Sequence, residues 1–245
     1  MNTQTTIEKL KSLRLRAMSE VYHRSMNEKN FPKYTIDEFL ALMVDAQWEE
    51  RHNRKIATLI KNAQFNESTS PHDIDYTSMR NLDKSTFERL LSLNFIKQTE
   101  NIIITGSTGV GKSYLAQAIG IQACQCTIKT LYYNWMNFSE KIKIAKLDGT
   151  YLKLLQKIEN TDLLILDDFG LHPFDNYTRQ ALMDIVESKY NKGSVIICTQ
   201  IPVKQWHELI GEGTIADAIL DRLVYASHRI ELRGESLRKK RKLLG

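Results

Sequence analysis

Eight consecutive residues, Gly106-Ser107-Thr108-Gly109-Val110-Gly111-Lys112-Ser113, fit the phosphate-binding pattern GxxxxGK[ST]. They follow the apolar run Ile102-Ile103-Ile104 and precede Leu115, Ala116, Ala118 and Ile119 at helical spacing. The pattern therefore stands between a buried strand and a helix, the setting in which it binds nucleotide. Glycines let the backbone curl until successive N–H groups face phosphate oxygens. A helix opening at Lys112 adds the positive end of its dipole. The Lys112 ammonium suits the β- and γ-phosphates, and the Ser113 hydroxyl suits a magnesium ion.

A second run, Leu163-Leu164-Ile165-Leu166-Asp167-Asp168, is apolar until it ends in two carboxylates. Apolar residues at every position predict a strand covered on both faces, as in a parallel sheet. Open α/β sheets bind ligands beyond the carboxyl ends of their strands. Asp167 is expected to hold magnesium, directly or through water, and Asp168 to polarise the attacking water. A third run, Ser194-Val195-Ile196-Ile197-Cys198-Thr199-Gln200, also ends polar. Thr199 or Gln200 is a candidate sensor of the γ-phosphate; the alternative is a strand end meeting a loop at Pro202.

The elements that must position these groups change character along the chain. Residues 1–66 read as an all-helical domain. Ile7, Leu10, Leu13, Ala17, Met18 and Val21 keep helical spacing behind a Thr5/Glu8 capping box. A second helix starts at Thr35 with Glu38 as reciprocal partner, and a third stripe runs Ile56, Leu59, Ile60, Ala63. Residues 67–84, polar and containing Pro71, are expected to link to a domain over 85–245, opened by a short helix at Ser85. There the strands Ile102–Thr105, Thr130–Asn134, Leu163–Asp167, Ser194–Thr199 and His228–Leu232 alternate with helical stretches. That alternation predicts an α/β fold, a five-stranded parallel sheet with helices on both faces.

The chain has no run of eighteen apolar residues, hence no expected membrane span. Its start, Met1-Asn2-Thr3-Gln4, lacks a basic-then-apolar signal. Cys124, Cys126 and Cys198 read as reduced core thiols of a cytoplasmic protein. The six histidines are scattered without metal-ligand spacing. A net charge of +5 permits a nucleic-acid partner without demanding one.

Beyond the fourth strand come Pro202-Val203-Lys204-Gln205-Trp206-His207-Glu208, Ala216-Asp217-Ala218-Ile219-Leu220-Asp221-Arg222-Leu223 and Gly234-Glu235-Ser236-Leu237-Arg238-Lys239. With Thr6–Leu15 and Ala46–Arg51 near the start, this order resembles the IstB family, ATP-binding AAA+ helpers of insertion-sequence transposons, over nearly the whole chain. More distantly it resembles DnaC loaders and DnaA initiators. The resemblance implies ATP and Mg2+ as ligands, a homo-oligomer with ATP between subunits, and duplex DNA and a transposase as partners. Arg222 resembles the arginine finger that acts on a neighbour's ATP; the alternative is an ion pair with Asp221 or Asp217. Arg238 resembles the second sensor, or belongs simply to the basic run Arg238–Lys242. One departure is Asp168 where the wider AAA+ pattern has glutamate, one methylene longer, so slow hydrolysis is expected.

Lys141, Lys143, Lys146, Lys153 and Lys157 lie between the second and third strands with few acids among them. Amines spaced along a helix suit phosphates and give affinity without sequence readout; the alternative is a solvated lysine face. The expectation is an ATPase that assembles on duplex DNA and assists a transposase. A DnaC-like helicase loader and a nucleotide-gated scaffold of negligible turnover are the other readings.

Overall fold

Five parallel strands form the sheet: β1 (Asn101–Gly106), β2 (Thr130–Asn134), β3 (Leu163–Asp167), β4 (Ser194–Thr199) and β5 (Ser227–Leu232). Their spatial order is β2-β3-β4-β1-β5, every neighbouring pair parallel. Three strands carry the expected bounds; β1 extends a residue at each end and β5 begins one residue earlier. The computed structural model describes residues 3–27, 34–67, 69–76, 80–225 and 227–237.

Successive strand residues point to opposite faces, and the core divides accordingly. Ile103, Leu131, Tyr133, Leu164, Leu166, Val195 and Ile197 pack on one face. Against them lie α7 (Trp135–Leu147), α8 (Tyr151–Glu159), α9 (Asn176–Lys189), α10 (Trp206–Ile210) and α11 (Gly213–Val224). Ile102, Ile104, Tyr132, Leu163, Ile165, Ile196 and Cys198 pack on the other, with α4 (Lys84–Leu91), α5 (Asn94–Lys97) and α6 (Lys112–Gln125). β1, β3 and β4 carry long apolar runs because both their faces are covered, whereas the edge strand β5 alternates, burying Ile230 and Leu232 and exposing Arg229 and Glu231.

The N-terminal region contains α1 (Thr3–Ser12), α2 (Arg16–Asn27) and the long α3 (Ile36–Ala63). The first apolar stripe is thus two helices. Arg14 adopts a left-handed conformation, φ 60°, and Leu15 N–H donates to Leu10 O while Arg14 N–H donates to Lys11 O. This is a Schellman ending, with arginine where glycine is commoner. Thr5 lies inside α1, so the proposed box does not begin that helix. Thr35 and Glu38 do form reciprocal bonds at the start of α3: Thr35 N–H donates to Glu38 at 2.7 Å and Glu38 N–H to Thr35 Oγ1 at 3.3 Å. The chain divides into Met1–Thr58 and Leu59–Gly245, within α3 and ahead of the expected boundary at Asn66. Asp83 caps α4, accepting from Thr86 N–H at 2.7 Å; Ser85, the expected start, is already in the first turn. Cys124 and Cys198 are buried thiols, whereas Cys126 is exposed.

Candidate nucleotide site

The turn from β1 into α6 needs two left-handed residues, and glycine supplies both: Gly109 at φ 83° and Gly111 at φ 101°. A Cβ at Gly109 would overlap Ser236, and one at Gly111 would stand 2.7 Å from Arg80 Nη1. Lys112, almost wholly buried, bends back so that Nζ donates to Ser107 O at 2.9 Å. The loop therefore encircles its own lysine at the first turn of α6, and Ser113 follows at the mouth of the same cleft.

The cleft holds about 540 Å³. Along it stand Thr108, Lys112, Ser113, Asp168 and Gln200, contributed by the β1–α6 turn and the ends of β3 and β4. Asp167 is buried at the end of β3, its Oδ2 accepting from Tyr132 Oη at 2.7 Å and its Oδ1 from Asp168 N–H at 2.9 Å. Burial foremost, then the adjacent Asp167 charge, raises the Tyr132 phenol pKa, so the phenol remains a proton donor. Asn66 Nδ2 donates in turn to Tyr132 Oη at 3.2 Å. Asp168 takes φ 54°, which turns it out of the strand direction, and Asn134 Nδ2 from the end of β2 donates to its Oδ2 at 2.9 Å. Gln200 Oε1 accepts from Thr108 Oγ1 at 2.7 Å, tying β4 to the phosphate loop.

Of the two sensor candidates, Gln200 lines the cleft and Thr199 does not. Thr199 is buried, its hydroxyl donating to Phe169 O at 2.7 Å and accepting from Ile201 N–H at 3.0 Å. Period 2 along β4 sends it away from the cleft. Arg238 lies outside the described residues. The chain just before it rests on the loop, Leu237 N–H donating to Gly109 O at 2.9 Å.

Arg222 stands elsewhere. Its carbonyl accepts from Asn101 Nδ2 at 3.1 Å, at the first residue of β1, whereas the phosphate loop follows the last. A six-residue strand spans about 20 Å, beyond an arginine's reach. The Arg222 guanidinium pairs with Glu187 at 2.9 Å, rather than with Asp221 or Asp217, and lies over the Tyr190 ring.

The five lysines separate as well. Lys143 pairs with Glu140 at 2.9 Å and Asp175 at 3.1 Å. Lys146 donates to Tyr177 O and lies over the Tyr151 and Tyr177 rings. Lys141 lies over Tyr133, and burial, with the nearby Lys157 charge, lowers its pKa. Lys153 and Lys157 are exposed on α8.

The motifs did not point to Tyr132, Asn134 or Arg80. The rule that selected Gln200, a polar residue ending a buried strand, also finds Asn134 when applied to β2. Tyr132 was hidden as an aromatic in an apolar run, and Arg80 stands in a polar segment without periodicity.

The residues fit ATP and magnesium: a curled glycine loop, a buried lysine, and Ser113 and Asp167 as oxygen donors of the kind magnesium takes. Among the described residues no cluster of three or more His, Cys, Asp or Glu suggests another metal. No described helix is long and apolar enough to cross a membrane.

Three comparisons bear on this geometry. The family model described as "IstB-like ATP binding protein" matches residues 8–245. A Sinorhizobium fredii protein named insertion sequence ATP-binding protein y4pL is 38% identical over 239 residues, 98% of each chain. The IS21 insertion sequence ATP-binding protein of Pseudomonas aeruginosa is 29% identical over 84% of this chain and 77% of that one. Among solved structures, DnaI superposes with a TM-score of 0.58 at 20% identity, covering 72% of this chain and 93% of that one. DnaA from Aquifex aeolicus, bound to AMPPCP, gives 0.59 at 20%, covering 74% and 56%. Those two likenesses concern the fold alone.

Proposed function

The chain belongs to the IstB-like ATP-binding proteins, and from that premise we propose that it is an ATPase whose active site is completed by a second copy of itself. The supporting observation is the separation of Lys112, Asp168 and Gln200 at one edge of the sheet from Arg222 at the other. Lys112 leaves Ser107 O for the β- and γ-phosphates, exchanging a neutral acceptor for a charged one. Ser113 and Asp167 would hold magnesium, which supplies charge neutralisation between the phosphates. Asp168 orients the attacking water and takes its proton, while Gln200 reports the γ-phosphate to Thr108. Arg222, freed from Glu187, serves the neighbour's nucleotide; a planar, permanent charge suits developing negative charge on phosphoryl oxygens.

Assembly would then depend on ATP, because the nucleotide lies between Lys112 of one copy and Arg222 of the next; its binding energy favours the assembled form. We further propose duplex DNA as the surface for assembly and the transposase of the same mobile element as the partner assisted. The family, with relatives named as insertion sequence proteins, supports that choice. The Asn134–Asp168 hydrogen bond favours one second reading, a scaffold of very slow turnover, since it occupies an oxygen of the short general base.

Turnover measured with and without duplex DNA separates the two: hydrolysis stimulated by DNA supports the ATPase, and none under any condition supports the scaffold. Strand transfer by the cognate transposase should rise only with ATP. No effect on strand transfer, with a replicative helicase co-purifying instead, would replace the transposition role by that of a loader.

A further inference from the structure

We infer that Arg80 is a nucleotide-binding residue, holding a phosphate that is not transferred, at the ribose end of the triphosphate chain. The inference rests on the ATP-binding reading above. Arg80 is 4% exposed, yet it lines the cleft beside Gly111, Lys112 and Tyr114. Its Nη2 donates to Asp75 O, and its Nε is buried without a hydrogen-bond partner. The Asp75 charge lies near, but burial outweighs it and lowers the guanidinium pKa. A buried charge is costly unless fully compensated, and an anion in the cleft is what would complete the compensation. The cleft is where the phosphate loop and the first turn of α6 collect one.

The sheet order decides which end of the anion it meets. Asp168 and Gln200 follow β3 and β4, on one side of β1. Arg80 is tied to the other side, its carbonyl accepting from Arg233 N–H at 3.0 Å just past β5. Its Nη1 stands over Gly111, the residue before Lys112. Arg80 thus lies across the loop from the hydrolytic end. It takes part in holding ATP and ADP alike, whereas Gln200 and Asp168 concern only the γ-phosphate.

The test compares the full chain with Arg80→Met, Arg80→Lys and, as control, Lys112→Ala, by titration with fluorescent ATP and ADP analogues and by melting with and without nucleotide. Arg80→Met should weaken ATP and ADP by the same factor, about tenfold or more for removal of a charge-assisted hydrogen bond. It should leave the nucleotide-free melting temperature unchanged or higher, because an incompletely compensated buried charge is gone. Arg80→Lys should recover part of the affinity. A structural brace would behave oppositely: a lower nucleotide-free melting temperature with nucleotide affinity intact, and that result overturns the inference. Loss of ATP affinity alone, with ADP unaffected, overturns the assignment to the non-transferred end. Should Arg80→Met not fold, Arg80→Gln, which keeps amide donors but no charge, carries the same expectations. If the wild-type chain itself binds no nucleotide and Lys112→Ala changes nothing, the ATP-binding reading has failed, and the inference with it. Wild-type binding that is lost in Lys112→Ala but intact in Arg80→Met sinks the inference alone.

Discussion

The two edges of the parallel sheet each hold an almost buried lysine, but only Lys112 stands in a glycine-rich loop at a cleft able to take a ligand. At the C-terminal edge Lys112 is wrapped by a glycine loop and bonded to a carbonyl of that loop. At the N-terminal edge Lys189 donates to both the carbonyl and the hydroxyl of Thr161, and Arg222 beside it is paired with Glu187. Lys112 can exchange its carbonyl for a phosphate. Lys189 is satisfied where it is, and burial pulls its pKa down to about 8. Parallel strands cause the asymmetry: all five carboxyl ends converge on one edge, where open α/β sheets bind ligands, and the opposite edge is left for packing.

If the edges cooperate between copies, the largest effect should come from the edge without a nucleotide. Arg222→Ala should lower turnover about a thousandfold, the scale of an arginine finger, with ATP affinity nearly unchanged. Mixing it with Lys112→Ala should restore part of the activity, at interfaces that pair an intact loop with an intact arginine. Confirmed mixed assemblies without rescue at any ratio would confine Arg222 to its own chain.

Next in size are effects at the ligand edge. Lys112→Ala should weaken ATP binding about a hundredfold, since the cation proposed to bridge two phosphates is removed. Asp168→Asn should lower turnover by a similar factor while ATP stays bound, as expected for loss of a general base. Fluorescent-nucleotide titration beside phosphate release separates the two behaviours; normal turnover in Asp168→Asn would move the base elsewhere.

The lysines of α7 and α8 extend the contrast between engaged and available cations. Lys153→Glu with Lys157→Glu should weaken duplex DNA binding across all sequences and reduce the salt slope by about one for each phosphate no longer neutralised. Lys143→Glu with Lys146→Glu should do less, because those amines already face Asp175 and the Tyr177 carbonyl. Equal effects of the two pairs, or none, would return this face to plain solvation.

The smallest effect concerns Lys189. Its pKa is about 8 folded against an ordinary 10.5, so between those values the unfolded chain binds more protons and stability rises with pH. Lys189→Met should remove that slope, as measured by denaturant unfolding across pH 7.5 to about 11, which brackets both values. An unchanged slope would mean another group titrates there.

The central strands β1, β3 and β4 were readable because burial on both faces forces apolar runs, and three of the five strands were located to the residue. The helical N-terminal region was less so. Periodicity carries straight through Arg14, and only a left-handed backbone angle at a residue without glycine's freedom breaks the stripe into α1 and α2. Likewise Ile56–Ala63 is not a separate helix but the end of α3.

The chain order of residues alone determined the phosphate loop, since its function resides in backbone curvature that glycines specify locally. It also determined the carboxylates at the end of β3, because an apolar strand that ends in acids declares both its burial and its open end. Tertiary structure decided everything that depends on which side of the sheet a group reaches. Between Thr199 and Gln200 the choice fell to Gln200 because alternation along β4 buries its neighbour. Asn134 and Tyr132 came to the carboxylates through β2 pairing with β3, across more than thirty residues of chain. Arg222 was placed at the far edge by Asn101, and Arg80 in the cleft by β5. A sequence pattern carries local geometry, whereas the pairing of distant strands fixes which groups share a cleft and which stand apart from it.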